Sequence, residues 1–344
     1  MSADLPAGEF TNVGRTAWHR TGFLASQTAY VGAALLVLVA VVALVSPAFL
    51  SLGNLVNISK NFSYVGIVSL GATLVIITAG IDLSVGSVMA LVAVSTALLL
   101  QFFNGSPLAA VPGAAMGAAV LGGLLIAALI GLINGYLIAK QELTPFVTTL
   151  GMLSVCRSLC YVITGGRGVA IAGHDASLFY ALTDGKLFGV PLPLIYLLVL
   201  AGGMGLFLHH MRGGRWVFAL GGNERAAALT GVPVARVRMA VYTASSLLAG
   251  FSGILMAGWL GSVPANLAVG YELRIIAASV IGGANLTGGI GGPTGAVIGA
   301  ALIEVIRNGL VLGRVNTYWQ DTLVGVIIVL AVYVDRLRRR RLAR

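Results

Sequence analysis

Charge is scarce in this chain. Of 344 residues only 9% are Asp, Glu, Lys or Arg, against roughly a quarter in soluble domains. Hydrophobic residues make up 58%, and mean hydropathy is +0.97. So little polar surface leaves no face for water, which excludes a row of water-soluble domains. Lipid can solvate such a surface, so the length reads as one membrane unit with short loops. Cysteine is nearly absent. Cys156 and Cys160 are the only two, at helical spacing in an apolar run, and read as small core residues because a metal site needs more ligands. The four histidines, His19, His174, His209 and His210, fall in loops or at span ends, so no metal set or nucleophile triad emerges. No catalytic residue and no metal are expected. The chain also lacks G-x-x-x-x-G-K-[ST], so it has no P-loop, and the Gly-rich stretch 282–295 departs from G-x-G-x-x-G at Thr294.

What is abundant is long apolar runs. A bilayer core needs about 20 apolar residues per helix. Spans are predicted at 29–49, 62–79, 84–103, 109–138, 146–164, 190–209, 240–261, 272–283, 291–312 and 319–335. Segment 272–283 is too short to cross as a straight helix, and 109–138 is long enough to tilt or break. The fold class is therefore an all-α polytopic membrane protein of about ten segments, with broken or short helices. The first run is longer than a signal-peptide core and reads as a transmembrane helix.

Positive charge orients the spans. With the N-terminus in the cytoplasm, the inside holds Arg15, Arg20, Lys140, Arg212, Arg215, Arg225, Arg236, Arg238 and the arginines of the tail 336–344. The outside holds Lys60, Arg167, Lys186 and Arg314. Both termini are then cytoplasmic. The net charge of +10 reads as anchorage beside anionic lipid, not as a nucleic-acid surface. The expected organisation is a cytoplasmic segment 1–28, a transmembrane domain 29–335 and a basic tail 336–344. Gly71, Gly117, Gly122, Gly131, Gly250 and Gly299 are expected to let helices pack closely.

Two stretches share the pattern G-x-[Asp/Asn]-Leu-[Ser/Thr]-x-Gly, at 80–86 and 283–289. Asp82 or Ser84, and Asn285 or Thr287, suit helix N-caps. The pair suggests an internal repeat with both copies on the cytoplasmic side; if segment 272–283 is re-entrant, one copy lies at a different depth or is inverted, and a chance match in a Gly-rich chain is the other alternative. The loop from about 210 to 240 is the longest inside. In it Asn223 caps a short helix, Glu224 favours its positive end and Gly231 stops it. So short a helix is not stable alone and must dock on its own bundle or on a partner. The outer loop at about 165–190, with Arg167, His174, Asp175, Phe179, Tyr180, Asp184 and Lys186, reads as a docking surface or a plain solvated loop. Asp82, Arg157, Glu272, Arg274, Glu304, Arg307 and Asp321 lie in or beside apolar segments, mostly near span ends. Glu304 and Arg307 are spaced to pair on one helix, whereas Glu272 and Arg274 point to different faces.

Taken together, GIDLSVGS at 80–87, GLINGYLIAK at 131–140, TPFVTTLGM at 144–152, ITGG at 163–166, GGNERAAALTG at 221–231 and YELRIIAASVIGG at 271–283 carry a resemblance. Collinear from about residue 50 to 335, they resemble the permease subunit of ribose/xylose/galactose-type ABC importers. The resemblance implies a bacterial inner-membrane protein working as a dimer of permease subunits, a transport subunit without an ATPase site of its own. ATP and magnesium would be bound by a separate ABC ATPase subunit, and a periplasmic sugar-binding protein would deliver a monosaccharide. It also implies that Gly221, Gly222, Asn223, Glu224, Arg225, Ala226, Ala227, Leu229 and Gly231 form the helix that couples to the ATPase. A neutral, hydroxyl-rich solute needs donors and acceptors along its path; Asp82, Ser84, Asn134, Thr148, Thr149, Asn285 and Asn308 are the candidates. Import of another small polar solute, such as an amino acid or a sugar-derived signal, is the alternative, and an ion-coupled secondary transporter is a more distant one.

Overall fold

In a computed structural model, residues 27–316 are described together with Trp319, Thr322, Gly325 and Val326. Arg15, Arg20, Asp321, the basic tail and nearly all of the expected span 319–335 lie outside the described residues. The described residues form twelve α-helices: α1 Gln27–Val45, α2 Leu52–Ile77, α3 Val85–Asn104, α4 Ala114–Ala139, α5 Pro145–Thr164, α6 Ala176–Thr183, α7 Leu192–His210, α8 Arg212–Gly222, α9 Glu224–Leu229, α10 Val234–Leu260, α11 Tyr271–Ile281 and α12 Pro293–Leu312. Eight of them, α1 to α5, α7, α10 and α12, are long and apolar enough to cross a membrane. The protein is an all-α, multi-pass membrane protein.

The bundle is built around α2, whose apolar stretch is almost wholly buried. On one side α2 packs against α10, which also holds α3 and α4; on the other it packs against α7, α11 and α12. α5 leans on α3, and α1 lies outermost against α12. α2 begins ten residues before the predicted 62, and α10 begins six before the predicted 240. Polar residues hid the first turns. In α2 those polar groups are partnered inside the protein: Asn54 and Asn308 exchange amide hydrogen bonds of 3.0 and 2.8 Å, and Lys60 pairs with Asp184 at 2.6 Å. Segment 109–138 neither breaks nor starts where expected; a 3₁₀ turn at Pro107–Ala110 precedes one continuous α4.

Close helix contacts fall at small residues, as lipid-embedded packing requires. A Cβ at Gly131 would lie 2.6 Å from Thr243 Cα, and one at Gly135 would lie 2.7 Å from Met239 Cα, so α4 and α10 touch backbone to backbone. Gly299 meets the Ala278 carbonyl in the same way, pressing α12 on α11. Gly117 departs from expectation, since it faces open space. Serine hydroxyls join helices further: Ser252 Oγ donates to Tyr64 O at 2.8 Å, and Ser279 Oγ to Ser69 O at 3.2 Å. Glu304 and Arg307 pair as their spacing predicts, at 2.8 Å.

Two elements start inside the bundle. After α2 ends, Ala79 takes a positive φ of 59° and the chain turns back along α2. Asp82 then meets Ser245, which packs against Gly71. Gly71 lies six residues before the end of α2, so α3 begins about 9 Å into the bundle at 1.5 Å per residue. α11 has the mirror arrangement. Val263 pairs with Val169 in a two-stranded ladder, β1 (Val169–Ala170) with β4 (Ser262–Val263), at the end of the bundle away from α8 and α9. From there the chain descends to Leu267, whose carbonyl accepts from Arg157 Nη1 at 2.7 Å, twelve residues into α5. α11 starts just beyond. Irregular backbone at this depth is tolerated because protein, not lipid, surrounds it.

Candidate functional site

The short helix α9 forms as its sequence dictates. Asn223 Oδ1 accepts the Ala226 N–H at 3.0 Å, so the side chain caps the helix. Glu224 stands in its first turn, where a carboxylate complements the exposed N–H groups, and Gly231 follows at φ 84°. The helix is six residues long and would not persist in isolation. Three contacts hold it. Glu224 Oε2 accepts from Arg238 Nη2 on α10 at 2.7 Å. Ala227 is 4% exposed and faces the bundle. At the end of α8, Gly221 sits directly on the Ile77 carbonyl, with no room for a Cβ, and beside Gly289. The Gly289 N–H donates to the same Ile77 carbonyl at 2.9 Å.

These contacts divide the nine residues expected on this loop. Gly221 and Ala227 face inward as packing residues. Gly222, Asn223, Glu224, Arg225, Ala226, Leu229 and Gly231 are exposed. Leu229 is 90% exposed, a large apolar side chain at the tip of a polar loop. Beside α9 lies a cavity of about 1160 Å³ bounded by Glu142, Thr144, Asn223, Glu224, Arg225 and Arg238. The loop between α4 and α5 forms its far wall. This end of the molecule presents a recess and an apolar knob side by side.

The polar residues proposed along a solute path do not form one file. Asp82, Ser84, Asn134 and Thr149 come together at the α2–α3 break. Asp82 Oδ1 accepts from the Ser84 N–H at 3.0 Å and from Ser84 Oγ at 2.6 Å, while Oδ2 accepts from Ser245 Oγ at 3.0 Å. Asn134 Nδ2 donates to Ser84 Oγ at 3.1 Å. Thr149 Oγ1 donates to Pro145 O at 2.9 Å and reaches Ile81 O at 3.4 Å. Asp82 is 2% exposed and the other three, with Ser245, are fully buried. The cluster is thus a packed lock that ties the break to α4, α5 and α10, not the wall of an open passage in this conformation. Asp82 also lies deep in the bundle rather than near a span end. Thr148 bonds back to Thr144 O within its own helix at 3.1 Å. Asn308 is engaged with Asn54 at the opposite end, and Asn285 sits in the loop beside Gly221.

The two repeated stretches lie at the same end of the bundle, with Gly288 against both Gly221 and Ala79. They share one local device. Asp82 Oδ1 takes the Ser84 N–H, and Asn285 Oδ1 takes the Thr287 N–H at 3.2 Å, each a turn closed by a side chain two residues back. Neither is the side-chain helix cap the sequence suggests. Ser84 precedes α3 without a side-chain cap bond, and α12 starts only at Pro293.

Sequence reasoning passed over several residues. Ser245 has no marker beyond being polar in an apolar helix. Asp175 reads from the sequence only as loop charge. Its carboxylate accepts from Gly113 N at 3.0 Å and Met116 N at 3.1 Å, so it caps α4 from a distant segment. Those two amide bonds hold its carboxyl below the ordinary carboxylate value. Phe179 and Asp184 of the same loop are likewise used internally, in the core and with Lys60. At the centre, Gly86 in the first turn of α3 packs against Glu272 in the first turn of α11. The N-termini of the two internal helices thus meet around one carboxylate, which suits their positive ends. Arg274, as its spacing suggested, turns elsewhere and covers the Tyr271 ring at 5.1 Å. Cys156 and Cys160 are buried free thiols.

The family described as branched-chain amino acid transport system / permease component matches residues 54–332. The chain belongs to this permease family. It is 40% identical over 317 residues to the probable ABC transporter permease protein y4mJ of Sinorhizobium fredii, covering 92% of this chain and 91% of that protein. It is 38% identical over 309 residues to the ribose import permease RbsC of Escherichia coli, covering 89% and 92%. It is also 38% identical over 321 residues to the galactose/methyl galactoside import permease MglC of Escherichia coli, covering 89% and 93%. The match takes in the α2–α3 break, α8, α9 and α11 of the permease together.

Proposed function

We propose that this permease is the membrane-spanning subunit of an ATP-driven importer for a monosaccharide, a pentose or a hexose. The observation that carries the reading is α9: a capped, exposed helix with Leu229 at its tip, tied to the bundle at three points. A separate ATPase subunit receives Leu229 and the recess beside it, and that subunit, not this chain, binds ATP and magnesium. The α8–α9 end is then cytoplasmic, as are both termini, in a bacterial inner membrane. A periplasmic binding protein docks at the opposite end, where Phe188 is 97% exposed between Lys186 and Val190. Two copies of the permease form the channel.

The contacts suggest how force travels. When the ATPase closes, α9 moves and pulls α10 through the Glu224–Arg238 pair. α8 moves with it and shifts the Ile77 carbonyl at the end of α2 through Gly221. Between α2 and α10 lies the Asp82–Ser245 lock, so relative motion of the two helices loads the α2–α3 break. Opening that break would place Ser84, Asn134 and Thr149 where hydroxyls of a sugar can use them. The sugar names of the relatives favour the monosaccharide; the family description, which names branched-chain amino acids, favours a second reading in which the solute is an amino acid.

The test is uptake into proteoliposomes holding the permease, its ATPase and its binding protein. ATP-dependent uptake of labelled pentose or hexose, absent without the binding protein, supports the reading. Leucine uptake under the same conditions would establish the second reading, and uptake by this chain alone along an ion gradient would refute both.

A further inference from the structure

A second feature at the α8–α9 end is used by nothing described above. Between α8 and α10 runs a cavity of about 490 Å³, lined by Leu74, Phe207, Trp216, Val217, Val241 and Ala244 among others. Its volume lies within the roughly 300–1,000 Å³ of small-molecule sites. The lining along α10 extends from Pro233, just before the helix, to Ala244, eleven residues or about 16 Å along the helix axis. The slot is therefore long, apolar and directed along α10. At its mouth the chemistry changes. Arg236 lines the cavity and is exposed, and Arg212 and Arg215 stand exposed on α8, each next in sequence to a lining residue, Gly213 and Trp216. Among the described residues none of these three arginines forms an ion pair, whereas Arg238, two residues from Arg236, is paired with Glu224. Trp216 is 38% exposed in the same wall, a side chain suited to the level of lipid headgroups.

We propose that this slot is a binding site for one anionic phospholipid, its acyl chain along α10 and its phosphate on Arg236, Arg212 and Arg215. The division of the site decides the occupant. A phosphate ion would leave the apolar depth unfilled, and a protein partner docking on the arginines would not reach Ala244. Basic pockets between transmembrane helices at the membrane surface are suited to anionic headgroups. α8 leads directly into α9, so a lipid wedged between α8 and α10 fixes the angle at which the short helix is presented. Anionic lipid then sustains coupling between ATP hydrolysis and uptake; this consequence rests on the importer reading, whereas the binding itself does not.

The experiment is native mass spectrometry of the full chain released from nanodiscs of equal phosphatidylcholine and phosphatidylglycerol. Phosphatidylglycerol should be retained preferentially. Arg236→Gln should lower that enrichment about fivefold, which is ~1 kcal/mol for one arginine at the surface. Ala240→Trp, which fills the slot from α10 and leaves every arginine in place, should also abolish retention. Soluble glycerol phosphate should not displace the lipid. Equal retention of both lipids, unchanged retention in both variants, or displacement by glycerol phosphate would each overturn the site. In proteoliposomes of the whole importer, phosphatidylglycerol should lower the ATP consumed per solute for the wild type and not for Ala240→Trp. An equal effect on both would overturn the coupling role, while absence of ATP-dependent uptake in every lipid would instead count against the importer reading.

Discussion

Removing the cap of α9 separates the role of this helix from the stability of the bundle. Asn223→Ala deletes the oxygen that accepts the Ala226 N–H at 3.0 Å and leaves the apolar contacts of the bundle untouched. Loss of such a cap costs about 1 kcal/mol, within a range of about 0.5–2. For a six-residue helix that cost falls on a local opening, because Asn223 and Ala226 are exposed and few other bonds are shared with it. About 1 kcal/mol raises the open population roughly fivefold. Hydrogen exchange at Thr230, Gly231 and Val232, whose amides donate to Ala226, Ala228 and Ala227, should accelerate by the same factor. Exchange in α2 and α10 should not change. ATP hydrolysed per solute imported should rise, and Asn223→Asp, which restores an accepting oxygen and adds charge at the positive helix end, should reverse both effects. Unchanged exchange at the three amides would refute the capping argument. Accelerated exchange with unaltered coupling would refute the role given to α9.

Three other perturbations test the packing and the polar contacts. Gly299→Ala drives a Cβ into the Ala278 carbonyl and should destabilise by roughly 1–3 kcal/mol, seen as a lower melting temperature in detergent, whereas Gly202→Ala meets open space and should not lower it. Asn54→Leu strips Asn308 of its partner and should cost about 1 kcal/mol in a urea or thermal series, with the Asn54→Leu/Asn308→Leu pair recovering much of it; additive losses would exclude the reciprocal bond. The depressed carboxyl of Asp175 stabilises the folded form at pH values above the ordinary 3.8, and this contribution is lost as pH falls through its lower folded value. Proteolysis of the loop between α5 and α7 should accordingly increase below that value in the wild type, and Asp175→Asn should remove this step from the pH profile.

Much of this protein is legible in one dimension. Apolar runs of about 20 residues have no other low-energy home than a bilayer, so the eight long helices follow from composition. α9 is equally legible, since Asn223, Glu224 and Gly231 act within one or two turns of where they stand. The short length of 271–281 likewise shows that this segment cannot cross unaided. Polar helix ends were harder. The first turns of α2 look soluble until Asn308 and Asp184, distant in the chain, arrive to satisfy Asn54 and Lys60.

The sequence alone therefore determined the solvent, the type of the long elements and the exposed loop that carries α9, because each depends on local hydrophobicity or on contacts a few residues apart. The tertiary structure alone decided that α3 and α11 begin inside the bundle and meet at Gly86 and Glu272. It also decided that Asp82, Ser84, Asn134 and Ser245 close on one another, and that Gly221 and Ala227 face inward. These outcomes depend on which helix faces which, and helix facing in lipid is set by small-residue contacts and paired polar groups spread across the whole chain.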